Sequence, residues 1–133
     1  MLFLLKGLKM CAAELKLRSV LVIDDDPIIV NSIRKQLRDE NLNLQTTNDP
    51  HEGISLSDKN DYNLILCDIK MDKMNGLDVL RVLKDKHPEL PVIILSGFVD
   101  DKIISQAKDI GCSDFLIKPV RKQELIDTIN NYI

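Results

Sequence analysis

The sequence predicts an α/β fold, a doubly wound parallel sheet of five strands built from five βα units in succession. Three observations predict it. Apolar runs too short for helices, at 20–23, 64–67, 92–95 and 115–117, alternate with segments of helical period. The first three of these runs are uniformly apolar, as strands buried on both faces are, whereas Leu42 to Thr47 alternates and reads as an edge strand. Each apolar run ends in a polar group: Asp24-Asp25-Asp26, Asp68, Ser96 and Lys118 in turn. A strand order of 2-1-3-4-5 satisfies this pattern. It places the topological switch point between the strands that end in Asp24, Asp25 and Asp68, where ligands of open parallel sheets bind.

The elements follow in order. Asp26-Pro27 offers an N-cap with proline at the first helical position, and Ile29, Val30, Ile33 and Leu37 form one face of the helix it opens. Residues 42 to 47 make the alternating strand. Asp49-Pro50 repeats the cap-and-proline device and opens a weaker helix around Ile54. After the third strand, a loop rich in Lys, Met and Asp leads to Asn75-Gly76 and a helix through Lys86. Pro88 and Pro91 bound the next turn. Ile103, Ile104, Ala107 and Ile110 make an apolar helix face that Gly111 ends. The last helix carries Leu125, Ile129 and Tyr132 on one stripe.

A chain of 133 residues fits one domain with a real core, and 44% hydrophobic with 29% charged residues is ordinary for a soluble protein. A net charge of −3 gives no reason to expect contact with nucleic acid or an anionic membrane. Cys11, Cys67 and Cys112 lack metal-ligand spacing and suit a reducing cytoplasm. His51 and His87 lie away from all four strand ends and read as solvated surface residues. Residues 1–17 form an N-terminal extension, and residues 18–133 form the domain. Met1 to Leu5 is apolar but interrupted by Lys6 and Lys9, so it is neither a membrane span nor a signal peptide. It is expected to be a short extra helix or a tail, or to reflect a true start at Met10.

Three carboxylates in one crevice repel each other, at roughly 4 kcal/mol for a pair 4 Å apart and an effective dielectric near 20. A divalent cation removes that penalty, and all-oxygen ligation suits Mg²⁺ or Mn²⁺. One carboxylate can then attack a phosphoryl group in line, with Ser96 donating to one of its oxygens and Lys118 pairing with another.

On these residues the chain resembles a response-regulator receiver domain of two-component signalling, in the CheY-like superfamily with its flavodoxin-like fold. The resemblance covers residues 19 to 133. It rests on Val-Leu-Val-Ile-Asp-Asp-Asp-Pro (20–27), Leu-Cys-Asp-Ile-Lys-Met-Asp-Lys-Met-Asn-Gly (66–76), Ile-Leu-Ser-Gly (94–97) and Asp-Phe-Leu-Ile-Lys-Pro (114–119), each at a strand end and all in order. It implies that Asp68 is the phosphoacceptor, supplied by the phosphohistidine of a sensor histidine kinase or histidine phosphotransfer protein. Asp24 and Asp25 form the acidic pocket. Asp25, Asp68 and the backbone carbonyl of Lys70 ligate the metal. Ser96 and Lys118 bind the phosphoryl group, and Phe115 swings inward when Ser96 moves. The Lys118-Pro119 bond is usually cis in that family.

The implied function is a phosphorylation-dependent conformational switch, cytoplasmic and not a turnover enzyme. Downstream proteins would read it at the face formed by the fourth helix, fifth strand and fifth helix. Ile28 and Ser32 point away from the core stripe of the first helix and suit docking of the phosphodonor.

Three positions depart from the family's commonest pattern. Asp72 stands where proline often follows Met71. Lys70 puts a long cation beside the acceptor, and Phe98 is bulky enough to narrow access to the phosphoryl group. The rival reading is a small haloacid-dehalogenase-like phosphatase with Asp24 as nucleophile, which Asp24-Asp25-Asp26-Pro27-Ile28 nearly fits. Such an enzyme wants an acidic pair after the lysine, whereas Asp100-Asp101 precedes Lys118. A third reading is a pseudo-receiver that only docks partners.

Overall fold

Every strand of the central sheet runs parallel, and the order is the one the burial pattern demands. In the computed structural model, residues 17–97 and 100–133 are described, with the main chain of 4–5 and 8–9. The elements are β1 (Arg18–Ile23), α1 (Pro27–Gln36), β2 (Leu42–Thr47), α2 (Pro50–Lys59) and β3 (Leu64–Asp68). They continue as α3 (Gly76–Lys86), β4 (Val92–Ser96), α4 (Asp101–Ile110), β5 (Asp114–Ile117) and α5 (Lys122–Tyr132). The sheet order is β2-β1-β3-β4-β5. Leu4–Leu5 pairs antiparallel with Leu8–Lys9, and the rest of the 1–17 extension, apart from Leu17, lies outside the described residues. Among the described residues no helix is long and apolar enough to cross a membrane.

Alternation along the inner strands divides the core between the two faces of the sheet. Val20, Val22, Leu64, Leu66, Ile93 and Leu95 face Ile33 of α1, Leu37 at its C-cap, and Leu125 and Ile129 of α5. Leu21, Ile23, Ile65, Cys67, Val92 and Ile94 face Leu77, Leu80 and Leu83 of α3 with Ala107 of α4. These strand residues are fully buried, and a buried Leu or Ile contributes about 1.5–3 kcal/mol.

Helix starts are fixed locally. Asp26 accepts from the Ile28 N–H and Asp49 from the His51 N–H, each at 2.9 Å, while Asn75 accepts from the Leu77 N–H at 2.8 Å. Asp100 caps α4 in the same way, a role the sequence reading did not assign it. At the other end of α4, Gly111 adopts φ 117°, the left-handed conformation that favours glycine. The weakness of α2 has a packing cause: its buried face is Pro50, Gly53 and Ser57, so small residues rather than an aliphatic stripe bring it close to Ile23.

Gly76 is different from an ordinary helix start. A Cβ there would lie 2.2 Å from the Asp68 carbonyl oxygen and 2.6 Å from the Ile69 Cα, both main-chain atoms that cannot swing aside. Gly76→Ala is therefore expected to cost at least about 2 kcal/mol in chemical denaturation. It should also displace the end of β3, and an unchanged unfolding midpoint would contradict this close approach.

Candidate functional site

The polar residues at the strand ends meet at one edge of the sheet. The backbone ladder runs one residue past two of the apolar runs: Asp68 pairs in register with Leu95, and Ser96 with Ile117. Asp68 and Ser96 therefore belong to their strands and share the strands' rigidity. Asp24 follows β1 directly, and its N–H donates to the Thr47 carbonyl at the end of β2. Its Oδ1 accepts from the Asp26 N–H at 2.9 Å, which orients the carboxylate over the turn.

Asp24, Asp25 and Asp68 each place a carboxylate oxygen within 4.8 Å of the others. Lys118 Nζ reaches into this group, 3.0 Å from Asp68 Oδ1 and 2.8 Å from Asp24 Oδ2. The first contact is a hydrogen bond. The second is an ion pair whose angles leave Asp24 Oδ2 buried without a hydrogen-bond donor. Asp24 is fully buried and Asp68 nearly so. Ser96 is also buried, and its carbonyl accepts the Lys118 N–H at 2.6 Å, so the hydroxyl and ammonium residues sit side by side. The Lys118-Pro119 peptide bond is cis, as the resemblance implied.

One ammonium shared between two buried carboxylates sets the electrostatics. Burial pushes the Asp68 carboxyl up to about 6. Lys118 pulls it down, and the charge of Asp24 pushes it further up. A main-chain hydrogen bond from Lys70 also favours the ionised form. For Lys118, burial alone would lower the ammonium's pKa, but Asp24 and Asp68 outweigh it and hold the group above the usual lysine value. Three carboxylates against one cation leave the site two negative charges in excess if all ionise, and a buried oxygen without a donor. That donor set fits a hard divalent cation.

The other candidates are placed less centrally. Phe115 is half-buried in register with Ile94 and packs against the core on the α3 and α4 face. Lys70 is exposed just beyond β3. Ile28 is 75% exposed and Ser32 is exposed on the outer side of α1, clear of its buried stripe. Phe98 and Cys11 lie outside the described residues. His51 is exposed as expected. His87, read as solvated, instead contacts Asp58 at 3.1 Å beside the Lys86–Asp58 pair, far from the site. Asp100 and Asp101 begin α4 as a cap and an exposed first-turn residue, so neither supplies the acidic pair that the phosphatase reading requires.

Two supporting contacts escaped the sequence reading. The Asp72 N–H donates to Asp25 Oδ2 at 3.3 Å, and Lys73 Nζ lies 3.2 Å from Asp49 Oδ2. Both join segments far apart in the chain, and no local pattern marks such a contact. The tight approach of Gly76 to Asp68 did have a signal, since an Asn-Gly pair can mean close backbone contact as well as a helix start.

Comparison with known proteins agrees with this geometry. Residues 20–130 match the response regulator receiver domain family. The chain is 39% identical over 113 residues to the cell cycle response regulator CtrA of Brucella ovis, covering 84% of this chain and 48% of that protein. It thus spans about half the length of the curated relatives it matches. Among solved structures, a response regulator receiver domain protein from Clostridium thermocellum is 34% identical, with a TM-score of 0.81 and coverage of 88% of this chain and 94% of that one. Chemotaxis protein CheY4 of Vibrio cholerae, at 21% identity, shares the fold with a TM-score of 0.84, covering 89% of this chain and all of that one. The match, the strand order and the converging strand ends lead to one conclusion: this chain belongs to the response regulator receiver domain family of two-component signalling.

Proposed function

We propose that Asp68 is the phosphoacceptor of this receiver. The observation that carries the reading is the carboxylate group held within 4.8 Å, with Asp68 on a strand end and Lys118 against it. An oxygen–phosphorus bond to Asp68 forms as the nitrogen–phosphorus bond of a partner's phosphohistidine breaks, and the imidazole keeps the electron pair. Ser96 and Lys118 take two of the transferred oxygens by hydrogen bond and ion pair. Asp24, Asp25, Asp68 and the Lys70 carbonyl would hold Mg²⁺ or Mn²⁺, which supplies neutralisation of phosphoryl charge. Asp24 is read as an acidic-pocket residue rather than a nucleophile, because Asp100 and Asp101 stand at the start of α4 and supply no acidic pair after Lys118 for the phosphatase chemistry.

The output is a population shift, with Ser96 and Phe115 as its moving parts and α4, β5 and α5 as the surface that downstream proteins read. Their adjacency supports this: Ser96 pairs with Ile117 and Ile94 with Phe115 across the same two strands. A full shift requires about a 10⁴-fold preference of the phosphorylated form for the active state. The phosphodonor, a sensor histidine kinase or histidine phosphotransfer protein in the cytoplasm, would dock over the exposed Ile28 and Ser32 of α1. The receiver proper is residues 18–133, with 1–17 as an extension, and the protein catalyses only its own phosphorylation and dephosphorylation.

Intact mass spectrometry after incubation with a small-molecule phosphodonor tests the reading. One added phosphoryl group that requires Mg²⁺ and survives Asp24→Asn at reduced yield, but not Asp68→Asn, is the expected result. An adduct lost in Asp24→Asn and retained in Asp68→Asn would overturn it in favour of the phosphatase chemistry. A folded wild-type protein that takes up no phosphoryl group would leave a docking module.

A further inference from the structure

At the end of the sheet opposite Asp68, the turns that lead into β3 and β4 enclose a cleft of about 560 Å³. That volume is within the range of about 300–1,000 Å³ usual for binding clefts. Tyr62, Pro88 and Leu90 give it an apolar wall, and Asp58, Asp61 and Glu89 bring three carboxylates to it. Asp58 is already matched, by Lys86 at 2.8 Å and His87 at 3.1 Å. Asp61 and Glu89 are exposed, and among the described residues neither forms an ion pair. The Tyr62 hydroxyl donates to Gln45 Oε1 of β2, which holds the ring in place. A ligand for such a cleft carries both positive charge and apolar bulk.

The chain itself contains a segment of that kind, and it leaves the sheet beside the cleft. Residues 1–16 of the extension carry Lys6, Lys9 and Lys16 against one acidic residue, Glu14, in a chain of net charge −3. They open with the apolar run Met1 to Leu5. The start of β1 is fixed to the cleft's rim through Asn63, one of its lining residues. The Ser19 N–H donates to Asn63 Oδ1 at 2.7 Å, and the Asn63 N–H donates to the Ser19 carbonyl at 2.8 Å. A segment of this length extends to at most about 50 Å, enough to cross the cleft from that anchor.

We infer that this cleft is the docking site of the chain's own N-terminal extension, with its lysines on Asp61 and Glu89 and its apolar residues on Tyr62, Pro88 and Leu90. Exposed ion pairs are weak singly, so a free basic peptide would hold the cleft poorly. An attached segment meets it at an effective concentration on the order of millimolar, and that advantage favours the extension over a separate partner. The cleft lies at the other end of the strands from Asp68, so docking and phosphoryl uptake do not compete for space.

The test uses the whole chain. Lys6→Glu combined with Lys9→Glu should move the backbone amide signals of Glu89 and Leu90, which lie far from both positions in sequence. The same spectra report folding. Glu89 and Leu90 signals unmoved by the two substitutions would overturn the inference. A nitroxide on Cys11 reads the contact directly, in a Cys112→Ser background with Cys67 fully buried from the label. Broadening of the Leu90 amide is expected, severalfold weaker with Lys6→Glu and Lys9→Glu, and restored when Asp61→Lys and Glu89→Lys exchange the charges. Broadening indifferent to these charges would overturn the inference. So would broadening carried to an unlabelled copy mixed with the labelled one, which would place the extension on a second molecule.

Discussion

Replacing Asp68 with asparagine is expected to abolish phosphoryl uptake and, in the metal-free protein, to raise stability near neutral pH by about 1–3 kcal/mol. The two effects have one cause. Asp68 is buried beside Asp24 with a shared ammonium, and its carboxyl is pushed up to about 6, against 3.8 for an unhindered aspartate. The folded protein therefore binds this proton more tightly than the unfolded chain. Below about pH 4 both states are protonated and the site costs nothing. As pH rises toward 6 the unfolded chain ionises first, so stability falls, and the full penalty is present above the folded value.

A shift of about two units, in which the pull of Lys118 is already counted, corresponds to about 3 kcal/mol, the upper end of that range. Urea unfolding with chelator at several pH values checks this. The wild type and Asp68→Asn should coincide near pH 4 and diverge toward pH 7, with the variant the more stable. A variant less stable at pH 7 would mean that the Lys118 pairing outweighs the burial of the charge. Added Mg²⁺ should reverse the order, since a cation that binds only the folded wild-type site stabilises it by mass action.

Lys118→Met is expected to act in the opposite direction, with a loss of about 2–4 kcal/mol in the metal-free protein. Methionine preserves the stem and its packing but removes the positive charge shared by Asp24 and Asp68, whose carboxylates are 0% and 6% exposed. Removing one partner of a buried ion pair leaves the other uncompensated, and here two are left. Part of the loss is relieved when one carboxyl keeps its proton, which is why the lower end of that range is included. Thermal melts with and without Mg²⁺ make the measurement. Most of the lost stability should return at saturating Mg²⁺, because a divalent charge substitutes for the ammonium. A variant equally destabilised in both conditions would place the role of Lys118 in packing rather than in charge.

The sheet order was legible in the sequence because it rests on burial. The uniformly apolar runs within β1, β3 and β4 had to be inner strands, and the alternating β2 had to be an edge. The members of the site were legible because each is a polar residue terminating an apolar run, and parallel strands bring such ends together. Less legible was how far the strands extend. Hydropathy ends at Cys67 and Leu95, but backbone pairing continues through Asp68 and Ser96, since ladder bonds are indifferent to side-chain polarity. Contacts such as Asp72 to Asp25 and His87 to Asp58 join segments distant in the chain and depend on backbone placement, which no local pattern encodes. The packing face of α2 was not legible for a related reason: Ile54 packs half-buried against the core, but the buried residues are Pro50, Gly53 and Ser57, which no apolar stripe marks.

The hydrogen bond from the Lys118 N–H to the Ser96 carbonyl has a mechanical meaning. It ties the chain just after β5 to the last residue of β4, so the main chains that carry the Ser96 and Lys118 side chains are coupled across the ends of two neighbouring strands. A shift of either strand end is thereby passed to the other, while the two side chains keep their own rotations.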